Sequence, residues 1–161
     1  MQVQDSHNFR VIKADLNQDI YANEVLKLVD AYARDPLGKG EPLDSSVLAR
    51  LIPGLQEHPA CRTFLCFDAN QAIGLAVCFI GFSTFIAKPV MYIHDLAVLS
   101  DWRSQGISQL LLDAIEQEAR SLNCCKIALE IREDHPEIQK IYTSLGFVEP
   151  GLRHCFWQKV L

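Results

Sequence analysis

One stretch constrains the fold more than any other. Gly106 to Leu122 lies between two strand-like runs, Val90–Leu99 and Lys126–Ile131. Its residues Ile107, Leu110, Leu111, Ala114, Ile115 and Leu122 follow the i, i+3, i+4, i+7, i+8 spacing of a helix with one buried stripe. The flanking runs are rich in β-branched residues, which suit a pleated surface. A strand, a helix and a strand in that order predict some parallel pairing between the two strands, with the helix crossing over one face of the sheet.

The rest of the chain adds antiparallel elements. Phe9 to Ala14 alternates and reads as an opening strand. Asp19 to Arg34 carries Tyr21, Val25, Leu28, Val29 and Tyr32 at helical spacing. Pro36, Gly38, Gly40 and Pro42 make the next segment a loop. Asp44 is placed to cap a second helix through Leu51, which Pro53-Gly54 should break or kink. Thr63–Phe67 and Ala72–Ile80 are apolar runs joined by Asp68-Ala69-Asn70-Gln71, a hairpin. Pro136 suits the first position of a helix ending at Leu145, with Gly146 as its C′ residue. Phe147-Val148 and His154 to Val160 are expected to close the chain as strands. The class is therefore α/β, a mixed sheet that is antiparallel in front with a parallel pair behind.

Composition narrows the function classes. The 161 residues are 49% hydrophobic with a net charge of -5, which suits one globular domain and excludes a disordered chain. The longest apolar run, Ile73 to Phe82, contains two glycines and falls short of the ~20 residues of a spanning helix. No basic region followed by an apolar core opens the chain, so neither membrane nor secretion is expected, and the location reads as cytoplasmic. An acidic balance argues against nucleic acid as a main partner and fits a cationic substrate. The cysteines at 61, 66, 78, 124, 125 and 155 form no C-x-x-C pair and have no zinc spacing, so reduced thiols and no metal are expected.

The chemistry is concentrated between Tyr92 and Phe147. Arg103-x-x-Gly106-x-Ser108 sits where the strand gives way to the long helix, whose first N–H groups and positive dipole end can receive an anion. Gly106 permits close backbone approach, and Arg103 can add a charge-assisted contact. No Lys-Ser/Thr follows and no G-x-G-x-x-G occurs, so this is neither a P-loop nor a dinucleotide fingerprint. Upstream stands Ile93-His94-Asp95-Leu96-Ala97-Val98; downstream stands Tyr142-Thr143-Ser144-Leu145-Gly146-Phe147. These three motifs in order resemble the Gcn5-related N-acetyltransferase (GNAT) superfamily. There the strand ends L-A-V, the loop reads R/Q-x-x-G-x-G/A, and a later helix ends Y-x-x-x-G-F.

The resemblance implies a mixed, mostly antiparallel central sheet with a splayed parallel pair and helices on both faces. It implies a single domain over residues 1–161, with a core of about 9–160. It also implies acetyl-CoA as co-substrate, with the pyrophosphate on the amides of Arg103, Ser104, Gln105, Gly106, Ile107 and Ser108. The pantetheine arm would lie along Leu96, Ala97 and Val98, with the Leu96 N–H facing the thioester carbonyl. Tyr142 fills the position that protonates the leaving thiolate in many members. The sequence departs from the pattern twice: Ser108 replaces the usual Gly/Ala, and His135 stands where many members have Asn before the proline.

The implied reaction is transfer of acetyl to the primary amine of a small molecule by direct attack in a ternary complex. A protein lysine or N-terminus as acceptor, or a non-catalytic CoA-binding module, are the alternatives. Along the strand, Tyr92, His94 and Leu96 share a face if no bulge intervenes, which aims His94 at the thioester as general base. Asp95, on the opposite face, reads as structural. Some relatives, notably diamine and thialysine acetyltransferases, have Y-L-E-D where this chain has Tyr92-Ile93-His94-Asp95, so a polyamine acceptor is not inherited. The acceptor pocket is expected from Tyr32, Asp35, Glu41 and Asp44 with Tyr92, His94 and the Pro150–His154 turn. An exposed edge at His154–Val160 could pair with a second copy as a homodimer.

Overall fold

The computed structural model describes residues 8–131, 135–151 and 157–161. Their elements are β1 (Phe9–Lys13), α1 (Asp19–Arg34), α2 (Ser45–Glu57), β2 (Cys61–Asp68), β3 (Gln71–Ser83), β4 (Lys88–Val98), α3 (Ile107–Ser121), β5 (Lys126–Leu129) and α4 (Pro136–Ser144), with a 3-10 turn at Ser100–Trp102. They fall into two compact units, Met1–Glu130 and Ile131–Leu161.

In the first unit the five strands lie in sequence order. β1 to β4 pair antiparallel, and β4 and β5 pair parallel, as the helix between them requires. Helices cover both faces. On one, Leu65, Phe67, Ala72, Leu75 and Val77 bury against Leu16, Val25 and Leu28, with Ile52 and Leu55 of α2 at the margin. On the other, α3 buries Ile107, Leu111 and Ile115. It approaches β3 so closely that a Cβ on Gly74 would lie 2.9 Å from Ile107 Cγ2 and 3.2 Å from Leu111 Cδ1. Cover on both faces explains why Thr63–Phe67 and Ala72–Cys78 are buried without alternation.

Two expectations change here. α2 does not stop before Pro53 but runs through it to Glu57. The lost N–H is outweighed because Ile52 and Leu55 pack on the core and the Gln56 amide bonds the Leu16 carbonyl at 2.7 Å. In the second unit, Phe147-Val148 is not a strand. Gly146, at φ +87°, ends α4 with the Gly146 N–H on the Thr143 carbonyl and the Phe147 N–H on the Tyr142 carbonyl, a Schellman cap. Phe147 is thus consumed by the cap. Trp157–Val160 is not a strand, and residues 152–156, with His154, lie outside the described residues.

Candidate active site

β5 pairs with β4 only from Val90↔Lys126 to Ile93↔Leu129, while β4 continues to Val98. The Leu99 N–H bonds the Ile73 carbonyl of β3 at 3.0 Å. Backbone groups alternate sides along a strand, so Leu96 and Val98 turn their N–H and C=O groups to the edge that β5 has left. The Val98 carbonyl accepts Arg103 Nε on that side, at 3.2 Å. Leu96, Ala97 and Val98 are each half-buried. The splayed edge expected of the parallel pair is therefore present.

The strand runs into the start of α3. Ser104 (φ +61°) and Gly106 (φ +83°) turn the chain, and Phe9 braces the turn edge-on against Trp102 at 6.2 Å. Leu110 donates the first helical bond recorded from this turn, to the Gly106 carbonyl, and no side chain caps the helix. The Ile107, Ser108 and Gln109 amides thus lack helical partners. A Cβ on Gly106 would meet nothing within 4 Å, so the glycine fronts open space.

Arg103 is engaged otherwise than expected. Its Nη2 lies 2.6 Å from Asp35 Oδ2 at the end of α1, joining residues assigned above to donor and acceptor. The Leu37 N–H is the main cause of the lowered Asp35 pKa; burial opposes it and Arg103 adds to it. Asp35 ionised therefore stabilises the fold above the unfolded carboxyl pKa of about 3.9, and that contribution fades as pH falls through the lowered value. Asp35→Asn is expected to lower the urea midpoint at pH 7, with the gap to wild type narrowing as pH falls below about 3.9. Asp35, Arg103, Tyr32, Leu28, Ala31, Ala97, Val98, Leu99 and Ser100 line a cavity of about 140 Å³. Glu41 pairs with Lys39 at 2.7 Å, so the charges of both Asp35 and Glu41 are compensated and do not form a free acidic patch.

The face of β4 also differs from the expectation. Val77 pairs with Asp95 and Cys78 with Ile93, so His94 is an extra, bulged residue. Tyr92 consequently falls on the α1 face and Leu96 on the α3 face; they do not share one. The bulge instead sets His94 beside Phe79, edge-on at 5.8 Å, and Phe79 also meets His58 at 4.9 Å. His94 Nδ1 stands 3.1 Å from Asp95 Oδ2. A carboxylate only accepts, so Nδ1–H donates, and in the neutral ring this tautomer leaves Nε2 as the acceptor, on a side chain that is 69% exposed. Asp95 is the functional candidate the sequence conceals, since neighbours in a regular strand point to opposite faces.

In the second unit, His135 precedes α4 without capping it; its Nδ1 lies 3.0 Å from Glu137 Oε1. Tyr142 meets Phe147 edge-on at 5.5 Å across the Schellman cap. A larger cavity of about 290 Å³ lies between β1 and the last turns of α3, and none of the expected site residues lines it. Burial pushes the Cys66 thiol up to about 11 and Cys78 to about 12, which makes both poor nucleophiles at neutral pH. Among the described residues no three His, Cys, Asp or Glu side chains gather as a metal site, and no helix is long and apolar enough to cross a membrane.

Known proteins share this arrangement. The model of the acetyltransferase (GNAT) family matches residues 25–147. Among solved structures, an integron cassette protein from the mobile metagenome of V. cholerae is 18% identical, with a TM-score of 0.79 over 94% of this chain and 93% of that one. The aminoglycoside N-acetyltransferase AAC(6')-Iy, solved with a bisubstrate analogue of CoA, is 16% identical, with a TM-score of 0.78 over 96% and 99%. A ribosomal-protein-alanine N-acetyltransferase from Brucella melitensis is 14% identical, with a TM-score of 0.72 over 94% and 100%.

Proposed function

The chain belongs to the acetyltransferase (GNAT) family, and from that premise we propose that it transfers the acetyl group of acetyl-CoA to the primary amine of a small molecule. Transfer is by direct attack in a ternary complex, with the chain working as one catalytic domain in the cytoplasm. The observation that carries this reading is the edge of β4 beyond Ile93, which has no strand partner among the described residues, leading into the open start of α3. A pantetheine arm contains amides, so it suits the hydrogen-bonding edge of Leu96 and Val98 as an added strand would. The bare backbone at Gly106 suits a diphosphate, because any side chain there would occupy the space it needs. The amides of Ser104 to Ser108 hold the diphosphate; the Arg103 N–H, expected to join them, is instead donated to the Ser100 carbonyl at 3.3 Å, and its guanidinium stays on Asp35 and Val98. The resemblance alone assigns His135 a contact to CoA.

The roles of Leu96 and Tyr142 are those that the resemblance implies, and His94 is the base the strand pattern offered. The Leu96 N–H opposes negative charge on the thioester oxygen as the amine attacks. The new C–N bond forms, the C–S bond breaks, His94 Nε2 takes the proton of the attacking amine, and Tyr142 returns one to the thiolate. Tyr32, Asp35, Glu41, Tyr92 and His94 serve the acceptor. The small size of the cavity beside Ala97 and Val98 supports a compact amine over a protein segment.

Release of free thiol from acetyl-CoA with polyamines, amino acids and aminoglycosides tests the reading. Turnover with at least one class is expected. Turnover with peptides alone would move the acceptor to protein, and CoA binding without turnover would leave a binding module. His94→Ala is expected to lower kcat/KM at least about tenfold at pH 7 while leaving acetyl-CoA affinity within about threefold, measured by steady-state kinetics and calorimetry.

A further inference from the structure

The β3–β4 hairpin outruns its neighbours. Among the described residues, β2 pairs with β3 as far as Cys61↔Phe79 and β5 with β4 from Val90. One backbone bond extends each edge, Ile80 N–H to the Ala60 carbonyl and Cys125 N–H to the Pro89 carbonyl, so the pair Ser83↔Lys88 and the turn beyond it stand as a two-stranded ribbon. A two-stranded ribbon is marginal in water unless something covers it. Its tip exposes three large apolar side chains, Phe82 at 63%, Phe85 at 102% and Ile86 at 55%. None takes part in the site described above.

We infer that this tip is the core of an interface between two copies of the chain. Charge favours that occupant. The molecule carries a net charge of -5, which repels a second copy over most of its surface, yet residues 69–94 contain no Asp or Glu and one cation, Lys88. A two-fold interface places the same patch on both partners, and an apolar, nearly uncharged tip is complementary to itself. With two aromatic side chains offering about 150–250 Å² each when fully exposed, and Ile86 beside them, the three residues supply roughly half of the ~800 Å² per partner of a standard interface, and the ribbon flanks supply the rim. A membrane surface is disfavoured, because anionic lipid attracts clusters of Lys/Arg and the tip has one.

Sedimentation velocity across a concentration series tests this, with far-UV circular dichroism as a check on folding. The wild type is expected to dimerise in the micromolar range. Phe85→Asp, at a fully exposed position, is expected to raise the dimer dissociation constant at least about tenfold, since a two-fold axis counts each change twice. Phe85→Leu should stay within about threefold of wild type because it keeps apolar surface. A wild type that stays monomeric, or a Phe85→Asp protein that dimerises as before, would overturn the inference. So would binding of the wild type to vesicles of phosphatidylserine and phosphatidylcholine that Phe85→Asp abolishes while dimerisation is unchanged.

Discussion

Tyr142→Phe is expected to lower kcat about 100-fold while leaving the KM for acetyl-CoA within about twofold, on the scale of a lost general acid. The ring of Tyr142 lies edge-on to Phe147, and that contact belongs to the Schellman cap of α4. Phenylalanine keeps the ring and so the cap, and removes only the hydroxyl. A thiolate leaving without a proton donor must wait for water, so the loss should fall on turnover. Steady-state kinetics against both substrates, with single-turnover measurements for the chemical step, make the separation. Equal losses in kcat and acetyl-CoA affinity would show that Tyr142 packs and does no proton transfer.

Gly106→Val is expected to weaken acetyl-CoA binding about 50-fold in calorimetry. Two effects add. Gly106 sits at φ +83°, where a β-branched residue costs on the order of 1–3 kcal/mol. Its side chain would also enter the open space at the start of α3 where the diphosphate is proposed to sit. Gly40→Val separates them, since Gly40 has φ +78° with equally open surroundings in the loop after α1. That variant should lose stability while its acetyl-CoA affinity stays within about threefold of wild type, because the strain alone is shared. Matching losses of affinity in both would mean that strain, and not the space at Gly106, controls binding.

These positions show which features a sequence exposes. α1 follows the apolar spacing from Asp19 to Arg34, because a long amphipathic helix is specified by many residues at once. The parallel β4–β5 pair follows equally from the helix between them. The bulge at His94 has no such redundancy. One extra residue in eleven leaves the alternation readable, yet it moves Tyr92 and Leu96 to opposite faces and turns His94 toward Asp95. The ion pair of Arg103 with Asp35 joins residues 68 apart and depends on where α1 ends against β4. Local pattern carries no such information. Phe147 misleads for the opposite reason: an apolar residue after Gly reads as a strand start, but its N–H is needed by α4.

Gly74 has a consequence for how a ligand would be received. Because β3 offers no side chain there, Ile107 and Leu111 rest against the sheet, and Ile107 is the first residue of α3. The helix start is thereby fixed by close packing before any anion arrives. An anion received there as proposed would need no ordering of these amides, so little conformational entropy would oppose its binding. Enlarging Gly74 would push on the far side of that turn and loosen it, placing a determinant of ligand affinity in the core rather than on the surface.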